Sequence, residues 1–217
     1  GCQFSAAHDT PGEIVHQIVP EGDGLNECRA LLEKTARLDD RYFLGYVPDN
    51  DGDRGNLVIT MPDGAVRQLA AQEVFALACV SELAWLLHTG AVEERNGKLS
   101  PPTAVVVNGP TSMRIERIAG RFGAQVFRAE VGEANVVGLA RELREKGYLV
   151  RFLGEGSNGG NITHPSAVRD PIQTVLSIIK LLYATGGTDA PAPARLWLER
   201  ADSALLPADG RTEEARR

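Results

Sequence analysis

Between Thr103 and Ala184 short apolar runs and amphipathic stretches alternate without interruption, and this pattern limits the folds open to the chain more than any other feature. The segment TAVVV (103–107) reads as a buried strand, 111–122 as a helix entered through the cap-competent Thr111, AQVFR (124–128) as a second strand, 133–146 as a helix, and YLVRFL (148–153) as a third strand. A glycine-rich loop follows, and then a helix over 171–184 that opens on Asp170-Pro171, an N-cap residue followed by proline at the first helical position. Strands and helices in strict turn predict a layered α/β architecture, a mixed sheet with flanking helices.

The preceding half is less regular. Leu25, Cys28, Leu31, Leu32 and Leu38 fall on one face of a helix over 25–38, Tyr42 to Val47 reads as a strand, and NLVIT (56–60) as another. Pro62-Asp63-Gly64 marks a turn, and a long helix, about 68–87, is almost wholly apolar on one side. The polar stretch 90–102 reads as a loop, and the last 30 or so residues as a linker or tail with at most one short helix near 194–205. With 217 residues, 43% hydrophobic and 24% charged, the chain has the balance of an ordinary globular protein of one or two domains. No apolar run approaches the ~20 residues needed to span a bilayer, so no membrane partner is expected. A formal charge of −6 argues against a nucleic-acid partner. Three widely spaced cysteines, Cys2, Cys28 and Cys79, form neither a disulfide framework nor a metal pair, which points to a reducing, cytoplasmic setting. The opening Gly1-Cys2-Gln3-Phe4, without Met or a signal-like segment, is expected of a piece of a longer protein.

Two loops carry chemistry. In Asp49-Asn50-Asp51-Gly52-Asp53-Arg54, between two strands, carboxylates at i, i+2 and i+4 can converge in a tight turn on a hard cation, Mg²⁺ or Ca²⁺. Three carboxylates in five residues repel one another unless a cation neutralises them, which favours a metal over a merely solvated turn. An EF-hand does not fit: its sixth position would be Arg54 in place of glycine, its twelfth Thr60 in place of glutamate, and the flanks are strands. Arg54, beside such a site, can fork onto phosphate oxygens that also touch the metal.

The second loop, Gly154 to Gly160, formally contains GxGxxG, but Pro165 blocks the helix that a dinucleotide fingerprint requires. No acidic residue stands at the end of a strand some ~20 residues on, where a ribose contact would need it. What remains is a loop bearing Glu155, Ser157 and Asn158, short donors and acceptors suited to sugar hydroxyls.

Taken in order, YVPDNDGDRGNLVI and FLGEGSNGGNI followed by Arg169-Asp170 resemble the metal loop and the sugar loop of the α-D-phosphohexomutases, the phosphoglucomutase/phosphomannomutase family. Asn108 to Met113 and Glu130 to Val136 are similar to the family's loops between them. The resemblance covers about residues 8 to 184. It implies the end of that family's domain 2 over 1–63, domain 3 over 64–187, and a linker or tail over 188–217. It implies Mg²⁺ on Asp49, Asp51 and Asp53, Arg54 steadying a phosphoserine, and Glu155, Ser157 and Asn158 on the sugar hydroxyls. The activity implied is interconversion of hexose 1- and 6-phosphates through a phosphoserine and a bisphosphorylated sugar. The partners implied are a hexose phosphate and the family's domains 1 and 4.

The chain departs from the family in lacking the serine motif of domain 1 and the phosphate loop of domain 4. Where some relatives carry a Lys and a His as acid and base, it has Gly109-Pro110 and Glu133, leaving Arg128 and Glu133 as candidates. Two other classes stay open, a non-catalytic phosphosugar-binding protein and a Mg²⁺-dependent phosphatase. His88 is expected to serve the helix end it terminates, and Trp85 and Trp197 to be packing residues. His164, close behind the sugar-like loop, and His16 remain open between structural and functional roles.

Overall fold

The computed structural model describes residues 4–13, 19–157, 160–186 and 192–201. His16, Asn158 and most of the expected tail lie outside them. Helix α1 (Asn26–Leu38) lies on a three-stranded antiparallel sheet in the order β1 (Leu44–Pro48), β2 (Gly55–Thr60), β3 (Val66–Gln68). The alternation of a strand assigns β2 two partners. Val58 packs with Leu25, Leu32 and Val47 under α1, whereas Leu57, with Ile59 beside it, joins a cluster with Leu69, Val74 and Ile178 on the opposite face.

Val74 belongs to α2 (Ala71–His88), where the structure departs from a one-sided apolar helix. Buried residues occupy every side of α2, from Val74 and Phe75 through Cys79, Glu82 and Leu83 to Leu86. A helix apolar all round has to be enclosed. One side of α2 faces the small sheet and the other faces a second, four-stranded sheet.

Residues 90–102 are not a plain loop. They contain a hairpin of β4 (Glu93–Arg95) and β5 (Lys98–Ser100), closed by Asn96 and Gly97 at φ +53° and +72°. Asn-Gly with both φ positive is the two-residue turn that matches strand twist, so the signal was present in the sequence.

The second sheet has the order β7, β6, β8, β9, built from β6 (Thr103–Asn108), β7 (Gln125–Ala129), β8 (Leu149–Glu155) and β9 (Gly160–Thr163). β6 is parallel to β7 and β8, and β9 runs back antiparallel along β8. The predicted layered α/β fold with a mixed sheet is thus observed, and the edge strand β9, which the sequence pattern does not predict, starts at the last residue of the glycine-rich loop. Helices α3 (Arg114–Phe122), α4 (Glu133–Glu145), α5 (Pro171–Tyr183) and α6 (Pro193–Arg200) complete the layers. Val105, Val107 and Phe152 face α2 and α3 with Ile115, Ile118 and Phe122. Ala104, Val106, Val150, Leu153 and Ile162 face α4 with Val136, Val137, Ala140 and Leu143. Leu196 and Trp197 of α6 close the first cluster, Trp197 stacking on Phe122 with ring centroids 5.9 Å apart.

A bulge re-aims part of β8. Ala104 pairs with Val150 and Val105 with Phe152, so Arg151 is the extra residue. Its Nε donates to Glu82 Oε2 at 3.0 Å. Glu82, 1% exposed, also accepts from Ser177 Oγ at 2.6 Å and pairs with Lys180. Burial pushes the Glu82 carboxyl up, but Lys180, Ser177 and Arg151 outweigh it and hold it below its ordinary value. A depressed pKa stabilises the fold above the carboxylate range and stops doing so as the pH falls through it. Glu82→Ala strands two cations and is expected to cost about 3–5 kcal/mol at neutral pH. Urea unfolding checks this, and the gap to the parent chain should narrow below about pH 4.

Candidate functional site

The acidic loop joins β1 to β2, and its turn is closed by backbone bonds from Asp49 N to Arg54 O at 2.9 Å and from Gly52 N to Asp49 O at 3.2 Å. Gly52 sits at φ +73°, a conformation in which a side chain would be strained. This folding brings one ligand oxygen of each of Asp49, Asp51 and Asp53 within 4.8 Å of the others. The Asp49 side chain is fully buried and accepts from Arg54 twice, from the backbone N–H at 3.1 Å and from Nε at 2.8 Å. Burial opposes ionisation of Asp49, yet these bonds hold its carboxyl below the usual range. Asp53 is pushed up, first by burial and then by its acidic neighbours, although Arg169 pulls the other way.

A carboxylate trio of graded exposure, all hard oxygen donors, fits a hard divalent cation. Asp53 Oδ1 strengthens the fit, being buried and without a hydrogen bond. Arg54 turns its Nε to Asp49 and lies 3.5 Å from Asp53 Oδ1.

Glu155 ends β8 at the C-terminal rim of the parallel strands and is 7% exposed. Its Oε1 accepts from Asn108 Nδ2, at the end of β6, and from Gly132 N, just before α4, both at 2.8 Å. Thr111 does not cap α3, as its position suggests. Its hydroxyl donates to Asn108 Oδ1 at 2.6 Å and accepts from Gly156 N at 2.9 Å, and α3 starts three residues later. Gln72 of α2 completes the network, accepting from Ser112 N at 3.0 Å and donating to Pro110 O at 3.3 Å. Ser157 is exposed beyond this rim.

Arg128 lies under the same rim as a clamp. Its Nη1 donates to the carbonyls of Asn108, Gly109 and Thr111 at 2.8–3.0 Å, and its Nε to Glu116 at 2.8 Å. A guanidinium so engaged holds the loop in place. Glu133 opens α4 and pairs with Arg169 Nε at 2.8 Å, while the same guanidinium pairs through Nη2 with Asp53. Arg169, which the sequence shows only as a residue following the glycine-rich loop, therefore links the acidic loop to the rim of the second sheet. Only tertiary contact reveals that role.

His164 is carried away from this rim. Because β9 runs back along β8, Glu155 lies opposite Gly160 and Phe152 opposite Thr163, which puts His164 level with Arg151. Burial, Arg144 and Arg151 depress its pKa. His88 ends α2 against Trp85, whose ring lies 5.0 Å from Lys180 Nζ. Among the described residues no helix is long and apolar enough to cross a membrane.

These loops gather where the parallel strands of an α/β domain end, with an acidic loop alongside, the end of such sheets at which ligands are generally bound. The family description "Phosphoglucomutase/phosphomannomutase, alpha/beta/alpha domain III" matches residues 81–196, just over half of the chain. The chain belongs to the phosphoglucomutase/phosphomannomutase family.

Solved structures agree on the fold. Parafusin, a phosphoglucomutase from Paramecium, in its open form superposes with a TM-score of 0.54 at 17% identity over 85% of this chain and 29% of its own. A phosphoglucomutase/phosphomannomutase family protein from Burkholderia thailandensis gives 0.53 at 18% identity, over 83% and 32%. The chain thus spans about a third of the length of these relatives. No curated protein matches the sequence.

One residue makes the rim geometry possible. Gly154 has φ +143°, and a Cβ there would stand 2.3 Å from the carbonyl oxygen of Gly160 and 2.9 Å from Asn161 Cα. Both are backbone atoms of the strand it pairs with, so neither can step aside cheaply. Gly154→Ala is expected to lose at least ~1–3 kcal/mol in urea unfolding and to disturb Glu155, its neighbour.

Proposed function

We propose that this chain forms the cation-binding and sugar-binding part of a phosphohexomutase whose full polypeptide interconverts hexose 1- and 6-phosphates through a phosphoserine and a bisphosphorylated sugar. The observation that carries the reading is the convergence of Asp49, Asp51 and Asp53 in a chain of this family. Residues 1–63 would be the end of the family's domain 2, 64–187 its domain 3, and 188–217 a linker or tail whose helix α6 packs on domain 3 through Leu196 and Trp197. The serine and the terminal phosphate loop would come from domains 1 and 4. The two free cysteines among the described residues suit a cytoplasmic protein.

In this reading Asp49, Asp51 and Asp53 hold Mg²⁺, which when bound neutralises charge developing on the transferring phosphoryl group. Arg54, anchored through Nε on Asp49, would offer the rest of its planar fork to the phosphoryl oxygens of the phosphoserine. Glu155, Ser157 and Asn158 bind sugar hydroxyls. The Glu155 carboxylate is held by Asn108 and Gly132 N and so is presented without a search through rotamers. Glu133 faces the same rim, beside Arg169.

Mg²⁺ titration of the 217-residue chain by calorimetry tests the reading. Uptake of one ion, weakened at least tenfold in Asp51→Asn, is the expected result, and no uptake would overturn the cation assignment. The chain alone is expected to convert no glucose 1-phosphate to glucose 6-phosphate in a coupled assay. Turnover that survives Asp51→Ala would contradict both the cation's role and the need for the further domains.

A further inference from the structure

We propose that Arg169 is a positioning residue for the cation site, fixing Asp53 as a ligand and coupling the acidic loop to Glu155. The proposal rests on the reading of Asp49, Asp51 and Asp53 as that site. Asp53 has two oxygens with different surroundings. Oδ2 pairs with Arg169 Nη2, whereas Oδ1 is buried, makes no hydrogen bond, and has Arg54 Nε 3.5 Å away. A carboxylate held by one oxygen, with the other left unbonded, is what a ligand needs from its supporting partner, since that partner removes the rotational freedom the ion would otherwise have to freeze.

A guanidinium beside a divalent ion carries a Coulombic penalty, and the structure offsets it. Arg169 Nε pairs with Glu133 Oε2 at 2.8 Å, so its charge is shared between two carboxylates, and its side chain is 20% exposed. The guanidinium suits this, because its charge is spread over a rigid plane that lies against both carboxylates at once, Nη2 on Asp53 and Nε 2.8 Å from Glu133 though without a hydrogen bond, which an ammonium on a flexible stem does not reproduce. Glu133 is the first residue of α4, and the N–H of the preceding Gly132 holds Glu155 Oε1 at 2.8 Å. A continuous line of contacts therefore runs from Asp53 through Arg169 and Glu133 to the residue proposed to bind sugar.

Simple electrostatics and positioning predict opposite signs. Deleting the Arg169 charge should tighten cation binding if charge alone matters, and weaken it if Asp53 has to be held. Mn²⁺ titration of the 217-residue chain, followed by the electron paramagnetic resonance signal of free Mn²⁺, separates them. Arg169→Gln is expected to weaken binding about tenfold, the range found when a ligand's supporting partner is removed. Arg169→Lys should fail to restore it. Glu133→Gln, which leaves Asp53 and Arg169 in place, should also weaken it, by less. The double variant should bind no worse than Arg169→Gln alone, because both changes act through one contact. Equal or tighter binding by Arg169→Gln, or additive losses in the double variant, would overturn the proposal. Absence of Mn²⁺ binding by the parent chain would instead remove the cation reading on which it stands.

Discussion

The burial of α2 organises everything else. Because its apolar surface runs right round the helix, it has to be enclosed, and the two sheets together with α3, α5 and α6 enclose it. Val74 is claimed by the small antiparallel sheet, and Phe75, Cys79 and Leu83 by the four-stranded one. Its one buried charge, Glu82, then has to be compensated inside that interface, which Arg151, Ser177 and Lys180 do from two further elements. The bulge that turns Arg151 toward α2 is part of the same solution.

Enclosing α2 also decides where the candidate site lies. The small sheet carries the acidic loop at one end of β1 and β2, and the larger sheet ends its parallel strands in the loops that hold Glu155. Arg169 ties Asp53 to Glu133, so the two loops meet across the packed halves. The rim is stiffened from below by Arg128 and from the side by Gln72 and Thr111. Such a scaffold suits phosphoryl chemistry, where positioning and charge compensation supply most of the rate.

The alternation of strands and helices was legible, because a period near two or near 3.6 shows in residue order whatever the partners are. The acidic loop was legible for a related reason: its three carboxylates are four residues apart at most, and local turn geometry alone can converge them. The edge strand β9 was not, because Gly160 and Asn161 have little strand propensity, Ile162 and Thr163 alone are too short a run to read as a strand, and all four are recruited by pairing with β8. The misplaced helix start has the same origin. Thr111 was available as a cap, and Asn108 and Gly156 bind it instead.

Sequence by itself determined the layered α/β class, the family resemblance and the three aspartates, all of them carried by neighbours along the chain. Tertiary structure alone decided that His164 is drawn away from the rim, that Arg128 is a clamp, and that Arg169 joins Asp53 to Glu133, 80 positions apart in sequence. The physical reason is common to all three. A side chain's type states what it can bind, but which partner it finds is settled by strand direction and by the packing of α2, and neither is written in any short segment.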